Sequence, residues 1–289
     1  MDELSRRALI AAVAMAQDLG LRCDREPALL ADGANVLAHL RPAPVVARIA
    51  TTTALVRKPP ERWLRRDLDM AGYLAAHGCP VVPPSAELPP GPHRRDGFAI
   101  SFWQFVEHDR SYVSSAAETA DLLRALHTVL RGYSGRLEYL NPFFEIPGWL
   151  DDAETLGALS KEDVAMFRHA HEEIAAQIHE LNLPEQPLHG DSHQKNLLKT
   201  PNGLLWTDFE DSCSGPIGWD FACFVHAAGE DKEAALANCN ADPAHLEPFL
   251  AARDLQGAVW LPIMATRFAD RRLRAEEWLA RWRSQTGRM

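Results

Sequence analysis

The chain has 289 residues, 46% of them hydrophobic and 24% charged, with a net charge of −10. That composition supplies a full apolar core and excludes a disordered, collagenous or disulfide-stapled chain, while the length predicts two lobes of roughly 150 residues each. Five cysteines, an odd number with no C-x-x-C pair, point to a reducing cytoplasm, and no apolar run approaches the ~18 residues of a membrane span.

The charge is unevenly spread. Residues 1–107 hold 13 basic and 12 acidic side chains, whereas residues 108–289 hold 17 and 28. Such an acidic second part repels nucleic acid and attracts small cations.

Read in chain order, the first segment carries Arg6 and Arg7 ahead of an alanine-rich run ending Ala14-Met15-Ala16, which mimics a cleavable leader. Asp2 and Glu3 cancel its positive charge, and Leu4, Ala8, Ala11, Met15 and Leu19 form a helical stripe, so an amphipathic helix is expected. Leu29-Leu30, Val36 to Leu40 and Val45 to Ile49 then read as three short strands, separated by the turns Asp32-Gly33-Ala34-Asn35 and Pro42-Ala43-Pro44. A helix follows over Glu61 to His77, stopped by Gly78 and Pro80, and a strand over Phe98 to Val106 runs into a connector.

Beyond the connector the pattern is mostly helical. Ser115 with Glu118, and Ser160 with Asp163, form capping boxes for two amphipathic helices. An exception is the hairpin spelled by Asn196 to Lys199, Thr200-Pro201-Asn202-Gly203 and Leu204 to Asp208. The expected division is 1–106, a β-rich lobe, and 107–289, a larger mainly helical one.

The chemistry concentrates in His189-Gly190-Asp191-Ser192-His193-Gln194-Lys195-Asn196, followed by Thr207-Asp208-Phe209-Glu210. An acid and an amide five positions apart can occupy the two ends of a tight loop, and the hairpin returns a second carboxylate beside the amide. Two carboxylates and a carboxamide are hard oxygen ligands of the kind that suits Mg²⁺ shared with phosphates. His189 and His193 lack a third ligand at zinc spacing. His169 and His171, two apart on a helix, read as surface residues. Glu210 reads as a supporting or solvated acid, and Asp211 as part of a solvated acidic turn.

H-G-D-x-x-x-x-N, then D-F-E, Gly215-Pro216 and Trp219-Asp220-Phe221-Ala222, with Leu126-His127 upstream, resembles the aminoglycoside phosphotransferase and choline kinase superfamily, which has the protein-kinase-like fold. The resemblance implies an α+β bilobal architecture, ATP or GTP as phosphate donor, Mg²⁺, and a small-molecule hydroxyl acceptor. It makes Asp191 the catalytic base, Asn196 and Asp208 the metal ligands, and Asp220 the brace of the catalytic loop. Gly33 and Asn35 fall in the phosphate-covering turn, and Gln104 and Val106 in the hinge that holds an adenine. Arg48 stands where the family has a phosphate-binding lysine, with Asp67 in register as its acidic partner. The acidic second part favours an amine-bearing acceptor such as an aminoglycoside or amino alcohol, with sugars and other hydroxyl compounds also open. Arg48 and the glycine-poor turn leave a second expectation, a pseudokinase that binds nucleotide without transfer. Neither nucleic acid nor membrane is expected as a partner.

Overall fold

The computed structural model describes residues 1–239 and 241–286. In chain order the first elements are α1 (Glu3–Asp18), β1 (Ala28–Asp32), β2 (Asn35–His39), β3 (Val45–Ala50), α2 (Thr53–Val56), α3 (Glu61–Ala76), β4 (His93–Arg95) and β5 (Phe98–Gln104). Then come α4 (Ala116–Leu130), α5 (Asn141–Phe144), α6 (Ile146–Thr155), α7 (Lys161–Glu180), β6 (Gln186–Leu188), β7 (Leu197–Thr200), β8 (Gly203–Trp206) and β9 (Cys213–Gly215). The last are α8 (Gly218–Ala227), α9 (Lys232–Cys239), α10 (Pro243–Arg267) and α11 (Arg272–Thr286). They form two compact units, one of residues 1–114 with 195–212, the other of residues 115–194 with 213–289. The first unit therefore takes in 107–114 and the hairpin segment, beyond the 1–106 stretch expected from the sequence.

In the first unit an antiparallel five-stranded sheet has the order β1-β2-β3-β5-β4. Strand alternation sorts its side chains between two faces. On one face Val45, Ala47 and Ile49 join Phe98, Ile100 and Phe102 in a buried cluster with Ala8, Ala11, Ala12 and Ala16 of α1. Small residues along that helix let it approach the sheet closely, and Asp2 caps it by accepting from the Ser5 N–H at 2.7 Å. Ala14-Met15-Ala16 thus lies inside a packed helix. On the opposite face Ala50 and Ala99 pack against Leu64 of α3. Arg48, on the same side of β3 as Ala50, is thereby directed toward α3.

The β7–β8 hairpin belongs to this unit. Its register runs from Leu197 opposite Trp206 to Thr200 opposite Gly203, and Gly203 has a φ of 124° that glycine tolerates best. The Trp206 N–H donates to the Pro80 carbonyl at 2.8 Å, and the Val82 N–H to the Trp206 carbonyl at 3.0 Å. These bonds fix where β8 ends and so where Asp208 begins its turn.

The second unit is helical apart from the antiparallel β6–β9 pair, in which Gln186 faces Gly215. The long α10 packs against α6, α7, α8 and α11 and buries Leu246, Phe249, Ala252, Leu255, Ala258 and Val259. Both expected capping boxes, at Ser115 and Ser160, are present. His171 departs from the sequence reading: it is buried, stacks on Phe143 at 4.4 Å, and its Nε2 is 3.2 Å from the Phe143 carbonyl. The helix alone gave no sign that α5 would cover it.

Candidate active site

Asp220 organises the loop that carries Asp191. Its fully buried carboxylate accepts from the His189 N–H at 3.0 Å and the Gly190 N–H at 2.8 Å, and His127 Nε2 lies 2.7 Å away. Burial alone would raise this carboxyl, but the His127 hydrogen bond and the backbone donors outweigh it and hold the group below the ordinary aspartate range. Below the carboxylate, the Ser192 hydroxyl donates to the Asp220 carbonyl at 2.7 Å, and the Trp219 indole N–H to the Gly190 carbonyl at 2.8 Å. Gly190 takes a φ of 88°, which allows the sharp turn between these anchors.

Asp191 itself is paired on both oxygens. Arg253 of α10 bonds Oδ1, and His193 Nε2 lies 3.3 Å from Oδ2. Burial pushes the carboxyl up, but Arg253 and then His193 overcome it and hold Asp191 well below the usual carboxylate range. The group is therefore an anion at neutral pH, as a proton acceptor must be.

In the first unit Arg48 meets three acids: Asp67 at 3.0 Å, Asp208 at 2.5 Å and Glu210 at 2.7 Å. Arg57 adds contacts to Glu210 at 3.4 Å and Asp211 at 2.5 Å. The Asn35 amide donates to Glu210 at 3.2 Å while its carbonyl accepts from the Thr53 hydroxyl at 2.7 Å. The Phe209 N–H donates to Asp67 at 2.8 Å, so α3 also fixes the turn next to Asp208. Asp208 takes a left-handed φ of 71°. Its side chain is 35% exposed, against 0% for Asp67 and 9% for Glu210, so it is the acid of this trio that reaches solvent.

Four carboxylates against two guanidinium groups leave an excess of negative charge. Its imprint is visible at Asp67, which burial pushes up to about 7 against the pull of Arg48, with Asp208 and Glu210 adding repulsion. A solvent-facing hard oxygen at the edge of a surplus of negative charge fits a divalent cation bound with phosphate oxygens. Among the described residues no group of three or more His, Cys, Asp and Glu side chains is arranged to hold a metal by itself.

The structure brings Arg48 and Asp67 together as expected and joins them to Asp208. Asn35 turns its side chain toward Glu210, and Gly33 accepts from the Thr52 hydroxyl at 3.1 Å through its carbonyl. At the expected hinge, the Gln104 N–H donates to the Pro83 carbonyl at 3.1 Å, and the Val106 carbonyl lies 3.0 Å from His108 Nδ1. Asn196 is buried at the hairpin entrance, where its carbonyl accepts from the Thr207 N–H at 2.9 Å. Asp211 corrects the sequence reading, since Arg57 engages it where a solvated turn was expected. Glu210 is buried at the centre of the cage. Arg57 and Arg253 went unnoticed in the sequence. The one signal for Arg253 was Gln256 three positions on, a polar side chain among the buried residues of the helix.

Residues 31–249 match the family model described as the phosphotransferase enzyme family, APH. No curated protein is a significant sequence match. Among solved structures, the chain is similar to an amicoumacin kinase, hAmiN, in complex with AMP-PNP, Ca²⁺ and Ami, at 13% identity and a TM-score of 0.70, covering 95% of this chain and 93% of that one. It is also similar to a choline/ethanolamine kinase family protein from Mesorhizobium loti (18% identity, TM-score 0.60, 96% and 92% covered). A third is an aminoglycoside phosphotransferase from Streptomyces rimosus in complex with ADP and streptomycin (15% identity, TM-score 0.58, 89% and 99% covered). These likenesses establish the protein-kinase-like phosphotransferase fold.

Proposed function

The chain belongs to the phosphotransferase enzyme family, and from that premise we propose that it moves the γ-phosphate of ATP or GTP to a hydroxyl of a small molecule. The observation that carries this reading is the preparation of Asp191: a braced loop presents it, and the Arg253 guanidinium, with His193 beside it, keeps it ionised. In the reaction, a carboxylate oxygen of Asp191 accepts the proton of the acceptor hydroxyl. The acceptor oxygen forms its bond to the γ-phosphorus as the bond from that phosphorus to the β–γ bridging oxygen breaks, and the nucleoside diphosphate leaves.

Asn196 and Asp208 would hold Mg²⁺, which neutralises charge on the phosphates when bound. Arg48, with its fork aligned by Asp67 and Glu210, keeps a fixed positive charge for the nucleotide. Backbone of the Gly33–Asn35 turn covers the phosphates, and backbone at Gln104 and Val106 receives the base. Among the described residues no cysteine forms a disulfide, which supports a cytoplasmic setting, and no helix among the described residues is long and apolar enough to cross a membrane.

One observation favours a pseudokinase as second reading. Arg48 contacts Asp208 at 2.5 Å, so part of the capacity of that ligand is already engaged. Nucleotide thermal shift with and without Mg²⁺, measured beside transfer of labelled γ-phosphate, separates the two. A phosphotransferase shows a Mg²⁺-dependent shift that Asp208→Asn removes, together with transfer to an acceptor. A shift without transfer to any acceptor favours the pseudokinase, and no shift with ATP or GTP contradicts the reading.

A further inference from the structure

The second part of the chain is strongly acidic, yet the surroundings of Asp191 are not. Arg253 reaches the base directly, and its other terminal nitrogen bonds the Gln256 side chain one turn along α10. Gln256 is buried, and the Arg253 side chain is only 16% exposed, so the guanidinium is held in a planar fork. It is built into the helix, and a loose side chain awaiting displacement would not be gripped at both ends.

A second observation points the same way. His226 of α8 stacks parallel to Trp278, with ring centroids 5.7 Å apart. Burial, then the like charges of Arg253, Lys232 and Arg281, pushes its imidazole down to about 4, with Asp191 the one opposing influence. Burial and these neighbouring cations together outweigh the pull of Asp191 on the imidazole.

We propose that Arg253 is a specificity-determining residue, and that the acceptor is a hydroxy acid whose carboxylate lies close to the reacting hydroxyl. This rests on the phosphotransferase reading and sets the sign of the acceptor's charge. Bulk acidity acts over long range and is screened beyond about 8–10 Å, whereas Arg253 touches the base that must touch the hydroxyl. An ammonium next to that hydroxyl meets a fixed guanidinium, and a carboxylate there is paired by it.

The test measures ADP release by the full chain with Mg²⁺-ATP over two matched series: gluconate, glucose and glucosamine; glycerate, glycerol and 3-amino-1,2-propanediol. Wild type, Arg253→Gln and Arg253→Lys are compared. The expected result is the highest kcat/KM for an acid, lowered at least about 30-fold by Arg253→Gln and largely restored by Arg253→Lys, because loss of one partner in a desolvated charge pair has effects of this size. Highest kcat/KM for an amine, no turnover of either acid, or an equal loss on all three classes in Arg253→Gln overturns the inference. Turnover of the other acceptors and the Mg²⁺-dependent nucleotide shift of the same wild-type protein tell the two failures apart. With turnover of a neutral or amine acceptor only the acceptor charge is wrong, and with no turnover of any acceptor, or no shift, the phosphotransferase reading falls as well.

Discussion

Arg48 shows what one substitution does to the network around it. A lysine would offer a compact point charge, whereas arginine lays a flat fork across Asp67, Asp208 and Glu210. With Arg57 it neutralises part of a cage that would otherwise be dominated by buried acids. Arg48→Ala leaves those acids without that counter-charge and is expected to cost roughly 3–5 kcal/mol in urea unfolding. Arg48→Lys keeps the charge but loses the fork, and is expected to fall between the two. Equal stability of all three proteins would show that the cage does not depend on Arg48. The Arg48–Asp67 pairing was legible in the sequence because register and family resemblance both pointed to it. The roles of Glu210 and Asp211 were not, because Arg57 lies some 150 residues away and only the packed unit brings them together.

At the level of elements, the hairpin and the braced loop are stretches whose local chemistry agrees with their tertiary setting. Thr200-Pro201-Asn202-Gly203 makes the turn it spells, with the Thr200 hydroxyl donating to the Gly203 carbonyl at 2.8 Å. At Gly203 a Cβ would meet no neighbouring atom within 4 Å, so a substitution there acts through the backbone alone. Gly203→Ala is therefore expected to cost about 1–3 kcal/mol from its φ of 124°, read as a lower thermal midpoint. An unchanged midpoint would mean that the turn relaxes without strain. The strand predicted to run to Asp208 ends at Trp206, because the backbone of Trp206 is committed to Pro80 and Val82 and Asp208 then turns left-handed. His171 was misread for a related reason. Spacing on α7 says which residues share a face but not which other helix arrives to cover it.

Across the whole molecule, charge is organised locally against its own average. The second unit carries much of the acidity, yet the charges of Arg253, Lys232 and Arg281 outweigh that of Asp191 at His226. That arrangement has a pH signature. A histidine held at about 4 when folded, against ~6.5 unfolded, stays neutral in the native protein while the unfolded chain takes up a proton. Its contribution to stability is intact above about pH 6.5, falls as pH drops toward about 4, and levels off below that. His226→Phe, which retains an aromatic ring against Trp278, is expected to flatten this part of the stability–pH curve by roughly 3 kcal/mol. An identical slope in wild type and variant would remove His226 as its source. Arg253 escaped the sequence reading because one arginine among the several charged residues of a 25-residue helix carries no motif. Its meaning comes from the loop that it meets, 62 residues away in sequence.

In the proposed reaction Asp191 takes the acceptor's proton. The direct measurement is transfer of labelled γ-phosphate from Mg²⁺-nucleotide to hydroxyl acceptors by wild type and Asp191→Asn, with nucleotide affinity measured on both. Affinity preserved within a few fold, with transfer reduced by about 10²–10⁴ or more in the variant, is the predicted result. Transfer by Asp191→Asn at the wild-type rate would contradict it.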